Sequence, residues 1–362
     1  MDYDYKEILR QQFNEIVEGE NLDVISGSAS EISQSISDNF TLDKLLEATL
    51  NGKSIFQNTE IIEDMFSLLM YEVRTALVLG SEILAICIIS GLLKCVSDSF
   101  RSRNVAHLTC FICNMIITGL AISSFTTTYN LAVDTVSVMT STMLIITPVL
   151  ITILAATGMI TSGTILSPLV TAVTTGFGMI IKKLILPALF AATILCLINC
   201  LTEKDYVNKL AKLLRSAAVF ATGLIVTVMT GVITVQGMLS ESSDGLLINA
   251  AKYSLNTFIP LVGGFTSDTV ELYLRCMGSI RSIIGVFGIL MLSVMLLIPI
   301  LKILAVALIY KMVSAFAEPV TEKKLSDGLN EMGNSMISIC SVMFFTSLLF
   351  ILFISIIVNI GG

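Results

Sequence analysis

Few residues in this chain of 362 have the chemical type and spacing of a reactive site. Glu82 is the clearest, because it lies inside an apolar run near residues 75–94. An acid at the depth of a membrane helix costs ~2.5–3.5 kcal/mol, so it usually faces a partner or water. Its carboxylate suits a pore lining or a proton carrier. We favour the alternatives: a structural pair with a base on another helix, or an acid hydrated near the interface.

The cysteines form the second group, eight residues that lie in or beside apolar runs. Cys110 and Cys113 make a C-x-x-C, and Cys196 and Cys200 are one helical turn apart. A free cysteine is a small apolar residue that suits helix packing. The single histidine, His107, completes no set of metal ligands. We therefore expect neither a metal nor any other cofactor.

Motifs of known catalytic mechanism are absent from the sequence. There is no Walker A lysine loop, so the chain does not drive transport with its own ATP. There is also no H-E-x-x-H and no G-x-S-x-G. A serine–lysine hydrolase within the membrane is the catalytic alternative that the sequence leaves open. We expect a protein that is not an enzyme, and the sequence gives no reason to expect a nucleic-acid partner.

Composition identifies the elements that carry these residues as membrane helices. The hydrophobic fraction is 54%, the charged fraction 14% and the mean hydropathy +0.88, whereas roughly 25% of the residues of a soluble domain are charged. Residues 1–73 hold 15 acids and 4 bases, and the rest of the chain holds 13 acids and 17 bases. The sequence thus predicts an acidic, helical, extracytoplasmic region at 1–73 and a transmembrane helical domain at 74–362.

The predicted fold is an all-α, polytopic membrane bundle of seven or eight helices in contact with the lipid bilayer. A membrane helix needs about 20 mostly apolar residues. Such runs lie near 75–94, 105–125, 138–158, 164–181, 184–200, 216–236, 282–301 and 336–358. Pro148, Pro168 and Pro187 interrupt the stretch from 138 to 200. This stretch forms either three spans, or two spans with a re-entrant hairpin around residues 158–175.

The distribution of bases predicts which side of the membrane each loop faces. Loops rich in Lys and Arg stay on the cytoplasmic side, and segments 94–104, 201–215 and 302–334 hold 11 of the 17 bases beyond residue 73. Both chain ends are then extracytoplasmic. Export of the tail normally requires a signal peptide, which residues 1–6 do not resemble. We infer that a signal peptide has been trimmed; export by the first span alone is the alternative.

Further residues are candidates for packing or function. Gly223, Thr227 and Gly231 recur every four residues, and small residues at that spacing let helices approach closely. Pro260 and Gly263 interrupt an apolar stretch and predict a broken, partly inserted helix on the outer side. Lys302 lies at the end of a span, where its side chain extends to the interface.

The second half of the sequence resembles a known family. The runs that carry the likeness are Ala-Lys-Leu-Leu-Arg at 211–215, Val-Ile-Thr-Val-Gln-Gly at 232–237, Ala-Lys-Tyr-Ser-Leu-Asn-Thr-Phe-Ile-Pro-Leu-Val-Gly at 251–263 and Leu-Lys-Ile-Leu-Ala-Val-Ala-Leu-Ile-Tyr at 301–310, followed by Pro319. In their order and spacing they resemble the stage III sporulation protein AE family of endospore-forming bacteria. The resemblance covers roughly residues 74–359. Gln236, in the second run, joins the candidate residues.

The resemblance implies a function that composition does not. It implies a polytopic subunit of a transenvelope complex, a channel or secretion-like apparatus that joins the mother cell to the forespore and supports late forespore development. The subunit would lie in the mother-cell membrane around the forespore. Implied partners are the other stage III A operon proteins, including a cytoplasmic ATPase and ring-forming subunits, and a forespore-side protein across the intermembrane space. The alternative is a stand-alone secondary transporter or permease, for which we find no internal sequence repeat.

Overall fold

Long α-helices joined by short links make up the described part of the chain. The computed structural model describes residues 59–99, 103–201, 207–258, 263–321 and 323–360. The helices, numbered in chain order, are α1 (Thr59–Ser99), α2 (Arg103–Ala156), α3 (Ile160–Ile180), α4 (Leu186–Leu201), α5 (Asn208–Phe258), α6 (Gly263–Ala317) and α7 (Lys323–Asn359). A π-helical turn, Ile181–Ile185, joins α3 to α4 in one continuous rod. Residues 1–58 lie outside the described residues, so the acidic region and its boundary at residue 73 stay predictions.

Six helical segments of the described chain are long and apolar enough to cross a membrane. They are Val73–Leu92, Phe111–Ala156, Ile160–Leu201, Asn208–Leu246, Arg275–Ala317 and Lys323–Asn359. The predicted all-α, multi-pass membrane fold is confirmed. The predicted number of seven or eight spans is approximate, because four of those spans merge into two. The spans near 105–125 and 138–158 both lie on α2, and those near 164–181 and 184–200 both lie on the rod of α3 and α4.

Polar residues between the merged spans lie within continuous helix, and their side chains find partners there. Between the two halves of α2, the hydroxyl groups of Thr126 and Thr135 donate to backbone carbonyls one turn earlier, at 2.8 and 2.7 Å. Lys182 lies in the π-helical turn, and its ammonium group donates to the Ser137 hydroxyl at 2.8 Å. The polar residues between the two halves of α2 therefore face the polar π-helical turn between α3 and α4, and both helices stay continuous.

The link between α2 and α3 is a tight turn that depends on one glycine. Gly158 has a φ of 86°, which an L side chain rarely adopts. Hydrogen bonds close the turn from Gly158 N to Ala155 O at 3.0 Å and from Met159 N to Leu154 O at 3.3 Å. Because so few residues separate Ala156 from Ile160, α2 and α3 run antiparallel.

α7 is a central helix of the bundle, in contact with α2, α4, α5 and α6. Its Phe350 packs edge-on against Phe177 of α3, with ring centroids 6.3 Å apart. Its connection to α6 is fixed by reciprocal hydrogen bonds: Ser314 Oγ donates to Ser326 O at 2.8 Å, and Ser326 Oγ donates to Ser314 O at 2.9 Å. Packing and such interhelical hydrogen bonds hold helices together where lipid removes the hydrophobic driving force.

α1 packs closely against α6 and the link that follows it through two glycines. A methyl group at Gly80 would overlap the Ile309 side chain, and one at Gly91 would overlap the Val320 carbonyl oxygen. α1 and α6 run in the same direction, since both residue numbers rise together along this contact. The close approach at both glycines fixes the opposite face of α1 toward the outside of the bundle.

These contacts define two ends of the bundle. At one end, Val207 N donates to Asn199 Oδ1 at 3.4 Å, and α5 and α7 begin nearby. We call this the basic end, because it carries Lys209, Lys212, Arg215, Lys323 and Lys324. The other end, which we call the hairpin end, contains the turn at Gly158 and the last residues of α7. The basic stretch 201–215, predicted to face the cytoplasm, is helical from Asn208 onward and continues directly into the apolar part of α5.

Candidate functional site at the basic end

Glu82 lies on the exposed face of α1, opposite the glycines that contact α6. It is near the middle of the apolar segment Val73–Leu92. The neighbouring contact of Gly80 with Ile309 places it in the half of the bundle that is nearer the basic end. Its functional role stays a prediction, but its position excludes a place in the interior of the bundle of described helices.

The row of small residues on α5 divides between the inside and the outside of the bundle. Gly223 lies against Phe345 of α7, 3.8 Å from the position that a Cβ atom would occupy. Thr227 is exposed, and its hydroxyl donates to the Gly223 carbonyl at 2.9 Å. No heavy atom of the described chain lies within 4 Å of a Cβ built at Gly231. Only the first member of the row therefore packs within the bundle.

The other predicted candidates do not form a common site. Gln236 is half-buried on α5, and Lys302 is half-buried inside α6, which continues for a further 15 residues to Ala317. Gly263 is the first residue of α6. Pro260 lies outside the described residues. Because these residues lie apart on two helices, their side chains do not form one site.

An ion cluster with a largely buried central pair links α5 to α7 at the basic end. Glu331 Oε2 accepts from Arg215 Nη1 at 2.6 Å, and Glu331 Oε1 accepts from Lys212 Nζ at 3.0 Å. The side chains of Arg215 and Glu331 are 11% and 15% exposed, whereas that of Lys212 is 54% exposed. Lys212 and Arg215 share a face of α5 because they are three residues apart. The buried Arg215–Glu331 pair dominates, since an exposed pair contributes about 0–1 kcal/mol.

A polar cavity of about 320 Å³ lies beside this cluster. Its walls come from the last turns of α4 and the first turns of α5 and α7. They carry amide, charged and thiol side chains: Asn199, Asn208, Asn330, Lys212, Lys324, Asp327, Glu331, Cys196 and Cys200. In the part of the chain that the structure describes, one atom of a lining residue, Asn208 Oδ1, is buried without a hydrogen-bond partner. The cavity therefore suits a polar ligand or peptide segment with both donors and acceptors.

Asp244 of α5 closes the hairpin end. Its Oδ1 atom accepts from Thr161 N at 2.9 Å, and its Oδ2 atom accepts from Ser162 N at 2.7 Å. These amides belong to the first turn of α3, where backbone donors have no partner within the helix and an anion is favoured. Asp244 is 0% exposed, so these donors replace water around its carboxylate. The arrangement binds α5 to the turn at Gly158.

Sequence reasoning missed Glu331 and Asp244, because neither lies inside an apolar run of the kind that singled out Glu82. Each is an acid near or within a long apolar helix. Glu331 fell in the predicted cytoplasmic loop 302–334, and Asp244 fell beyond the predicted span at 216–236. The structure extends helical order through both positions. Asp244 is therefore buried and Glu331 largely buried, and each carboxylate is bonded to another helix.

The cysteines whose side chains the structure describes are free thiols. Cys87, Cys113, Cys196 and Cys340 are buried, and Cys200 and Cys276 are half-buried. The side chains of Cys110 and His107 lie outside the described residues. Among the described side chains, no group of three or more His, Cys, Asp or Glu residues could hold a metal ion.

Known proteins similar to this chain agree on one family. The sequence matches the family model of stage III sporulation protein AE over residues 40–361, a range that contains every described residue. It is 28% identical over 313 residues to the stage III sporulation protein AE of Bacillus subtilis (strain 168), covering 86% of this chain and 78% of that relative. No solved structure gives a significant match. The resemblance read from the sequence is confirmed, and the chain belongs to the stage III sporulation protein AE family.

Proposed function

We propose that this sporulation protein is a non-enzymatic membrane subunit of a transenvelope complex, a channel or secretion-like apparatus that joins mother cell and forespore. The observation that carries the proposal is the family match over residues 40–361, which ties the whole described bundle to sporulation. The buried ion pair and the Asp244 carboxylate support a non-enzymatic role, because both are engaged in holding helices together.

The basic end is proposed to face the mother-cell cytoplasm, in the membrane that surrounds the forespore. Lys209, Lys212 and Lys323 are exposed there, and basic segments favour the cytoplasmic side. With six crossings, residues 59 and 360 would lie together on the opposite side. The acidic residues 1–58 would then face the intermembrane space, where ring-forming subunits and a forespore-side protein would meet them.

The polar cavity is the proposed contact for a cytoplasmic partner, the ATPase of the stage III A operon. Its rim carries exposed lysine and acidic side chains at the surface that would face the cytoplasm. Polar, charged surfaces of this kind steer partners and set the register of docking. Other proteins of the same operon would complete the assembly within and beyond the membrane.

Labelling of single cysteines tests the orientation. In a variant whose eight native cysteines are replaced, Ser242→Cys and Lys323→Cys each place one thiol at an exposed position near opposite ends of the bundle. In intact vegetative cells that express the protein in the cell membrane, a maleimide that cannot cross membranes should label Ser242→Cys, and it should label Lys323→Cys only after permeabilisation. The opposite pattern of labelling would reverse the proposed orientation.

Co-purification tests the function. A tagged copy of the full chain, isolated from sporulating cells in mild detergent, should recover the operon's ATPase and ring-forming proteins. A matched copy with Asp327→Lys and Asn330→Lys, which changes the exposed rim of the cavity, should lose the ATPase and keep the extracytoplasmic partners. A stand-alone transporter or permease would instead recover no partner and would take up its small-molecule substrate when reconstituted alone.

A further inference from the structure

Several buried hydroxyl groups in the membrane-spanning helices donate to a backbone carbonyl of their own helix. Those of Thr147, Thr193 and Thr222 do so one turn earlier, at 2.7, 2.8 and 2.8 Å. Four buried hydroxyl groups on α3, α5 and α7 instead have no hydrogen-bond partner among the described residues: those of Thr174, Thr230, Ser240 and Ser347. Because lipid supplies no hydrogen bonds, buried groups of this kind are satisfied by protein or by water.

Three of these hydroxyl groups lie along the contact between α3 and α5, which we call the α3–α5 seam. Asp244 of α5 accepts from two amides in the first turn of α3, and this contact sets the register of the two antiparallel helices. At 1.5 Å per residue, Ser240 lies about 6 Å from the level of Asp244. Thr230 of α5 and Thr174 of α3 both lie about 20 Å from that level, so they share one depth inside the bundle.

Ser347 of α7 lies beyond an aromatic pair that crosses the seam. Phe350 of α7 meets Phe177 of α3 edge-on, with ring centroids 6.3 Å apart, and the two residues are 0% and 2% exposed. Thr174 precedes Phe177 by three residues on the hairpin-end side, and Ser347 precedes Phe350 by three residues on the basic-end side. Residues three apart share a helix face. The aromatic pair therefore separates Ser347 from the hydroxyl groups nearer the hairpin end.

Polar groups occur along this part of the bundle over the thickness of a bilayer. Lys182, in the π-helical turn after α3, lies within one turn of the level of Ser347 and donates to Ser137 of α2 at 2.8 Å. From the first turn of α3 to Lys182 the helix rises about 30 Å, which matches a hydrocarbon core of roughly 30 Å. Polar groups inside a membrane bundle mark pathways for ions and protons.

We propose that α3, α5 and α7 enclose a narrow water-accessible path, which enters at the hairpin end and is closed at the Phe177–Phe350 pair. Water in the path bonds the hydroxyl groups of Ser240, Thr230 and Thr174 on its open side. The paired rings exclude water, as hydrophobic constrictions of channels do. The inference concerns the chain by itself and does not rest on the proposed function.

The dimensions and chemistry of the path suit protons rather than larger solutes. A methyl group at Gly237, on the buried face of α5, would meet Ile360 and Ile356 of α7 at 3.4 and 3.5 Å. The seam thus has room for a group about as large as one water, whereas a hydrated metal ion needs more. A hydroxyl group both donates and accepts. It can accept a proton from one water while it passes its own proton to the next, and it ends unchanged.

Thiol accessibility tests the path in the full chain, held in lipid nanodiscs and without its native cysteines. Thr174→Cys places a thiol on the open side of the aromatic pair, and Ser347→Cys places one beyond it. Silver ions travel in water and bind thiolates. Thiols that remain after silver treatment are counted by maleimide labelling of the denatured protein. Silver should block Thr174→Cys and leave Ser347→Cys free for the maleimide.

Thr147→Cys is the matched control for this measurement. Thr147 is 1% exposed, lies at a similar depth from the hairpin end and donates to Met143 O at 2.7 Å. Its replacement should stay protected from silver, because it lies on α2 and away from the path. Equal protection of Thr174→Cys and Thr147→Cys would overturn the proposal. Blocking of Ser347→Cys would show that the aromatic pair does not close the path, and would overturn it as well.

Proton flux provides a second measurement. Vesicles that hold a pH-sensitive dye and carry a potassium diffusion potential should acidify no faster with the native protein than without protein, because the aromatic pair is closed. Phe350→Ala widens the constriction and should raise the rate above that of protein-free vesicles. Adding Thr174→Val and Thr230→Val, which remove two hydroxyl groups at nearly constant volume, should return the rate to the protein-free level.

Phe125→Ala is the matched control for the flux measurement. Phe125 is 0% exposed and stacks on Phe190 at 5.8 Å, outside the seam, so its loss should leave the rate at the protein-free level. If Phe350→Ala gives no folded protein, Phe177→Leu is measured in its place. An unchanged rate in the folded constriction variant, or an equal rise in Phe125→Ala, would contradict the path. Neither result alters the co-purification, so the two proposals are judged separately.

Discussion

Glu331→Ala is expected to lower the free energy of unfolding on the order of 3–5 kcal/mol. The substitution leaves the Arg215 guanidinium, whose side chain is 11% exposed, without its counter-charge between α5 and α7. An unpaired buried charge is far more costly than the loss of the pair as a whole. The effect can be measured by denaturant titration of the protein in detergent micelles, followed by helical circular dichroism.

Two comparison variants separate the buried charge from other consequences of the change. Arg215→Leu combined with Glu331→Leu removes both charges, and most of the lost stability should return, since apolar replacement of a buried pair is often neutral. Lys212→Ala removes only the exposed member of the cluster and should change stability by less than about 1 kcal/mol. If the double variant were as unstable as Glu331→Ala, the shape of the Glu331 side chain would matter more than its charge.

Asp244→Ala is expected to cost about 2–4 kcal/mol and to loosen the hairpin end. It removes the acceptor of two charge-assisted hydrogen bonds, each contributing roughly 1.5–3 kcal/mol, and leaves the amides of Thr161 and Ser162 without it. Hydrogen exchange followed by mass spectrometry should show faster exchange in the first turn of α3. The same titration used for Glu331 gives the overall stability.

Asp244→Asn is the variant to compare with Asp244→Ala, because it separates the loss of charge from the loss of the acceptor. Its amide keeps one acceptor oxygen and loses the charge, so its stability should lie between those of the native protein and Asp244→Ala. Ser243→Ala, at an exposed neighbour whose hydroxyl bonds only its own helix, should be near neutral. Equal exchange rates in native protein and Asp244→Ala would mean that the turn at Gly158 holds without the carboxylate.

Local sequence predicted the helices well where one apolar run corresponds to one crossing. The runs near 75–94, 216–236 and 336–358 lie on α1, α5 and α7. The sequence could not show that two predicted spans form one continuous helix, because a polar stretch between two apolar runs has the same low hydropathy in a loop as in a helix. The polar residues between the joined spans bond within and between these helices, and the Lys182–Ser137 bond joins residues 45 positions apart.

The ion cluster and the capping acid depend on contacts over even longer separations. Arg215 and Glu331 are 116 positions apart, and Asp244 and Ser162 are 82 positions apart. Helical periodicity reports which face a residue occupies, not which residue of another helix faces it. Composition and spacing could therefore select Glu82 as an unusual acid, yet could not show that its side chain points away from the bundle.

The position of Asp244 sets an order of events during synthesis. The turn at Gly158 leaves the ribosome before its capping carboxylate, which follows Ser162 by 82 residues. At 5–20 residues per second, the amides at the start of α3 wait about 4–16 s for Asp244 to be made. During that interval the amides of Thr161 and Ser162 lack this acceptor, and the insertion of α5 supplies it.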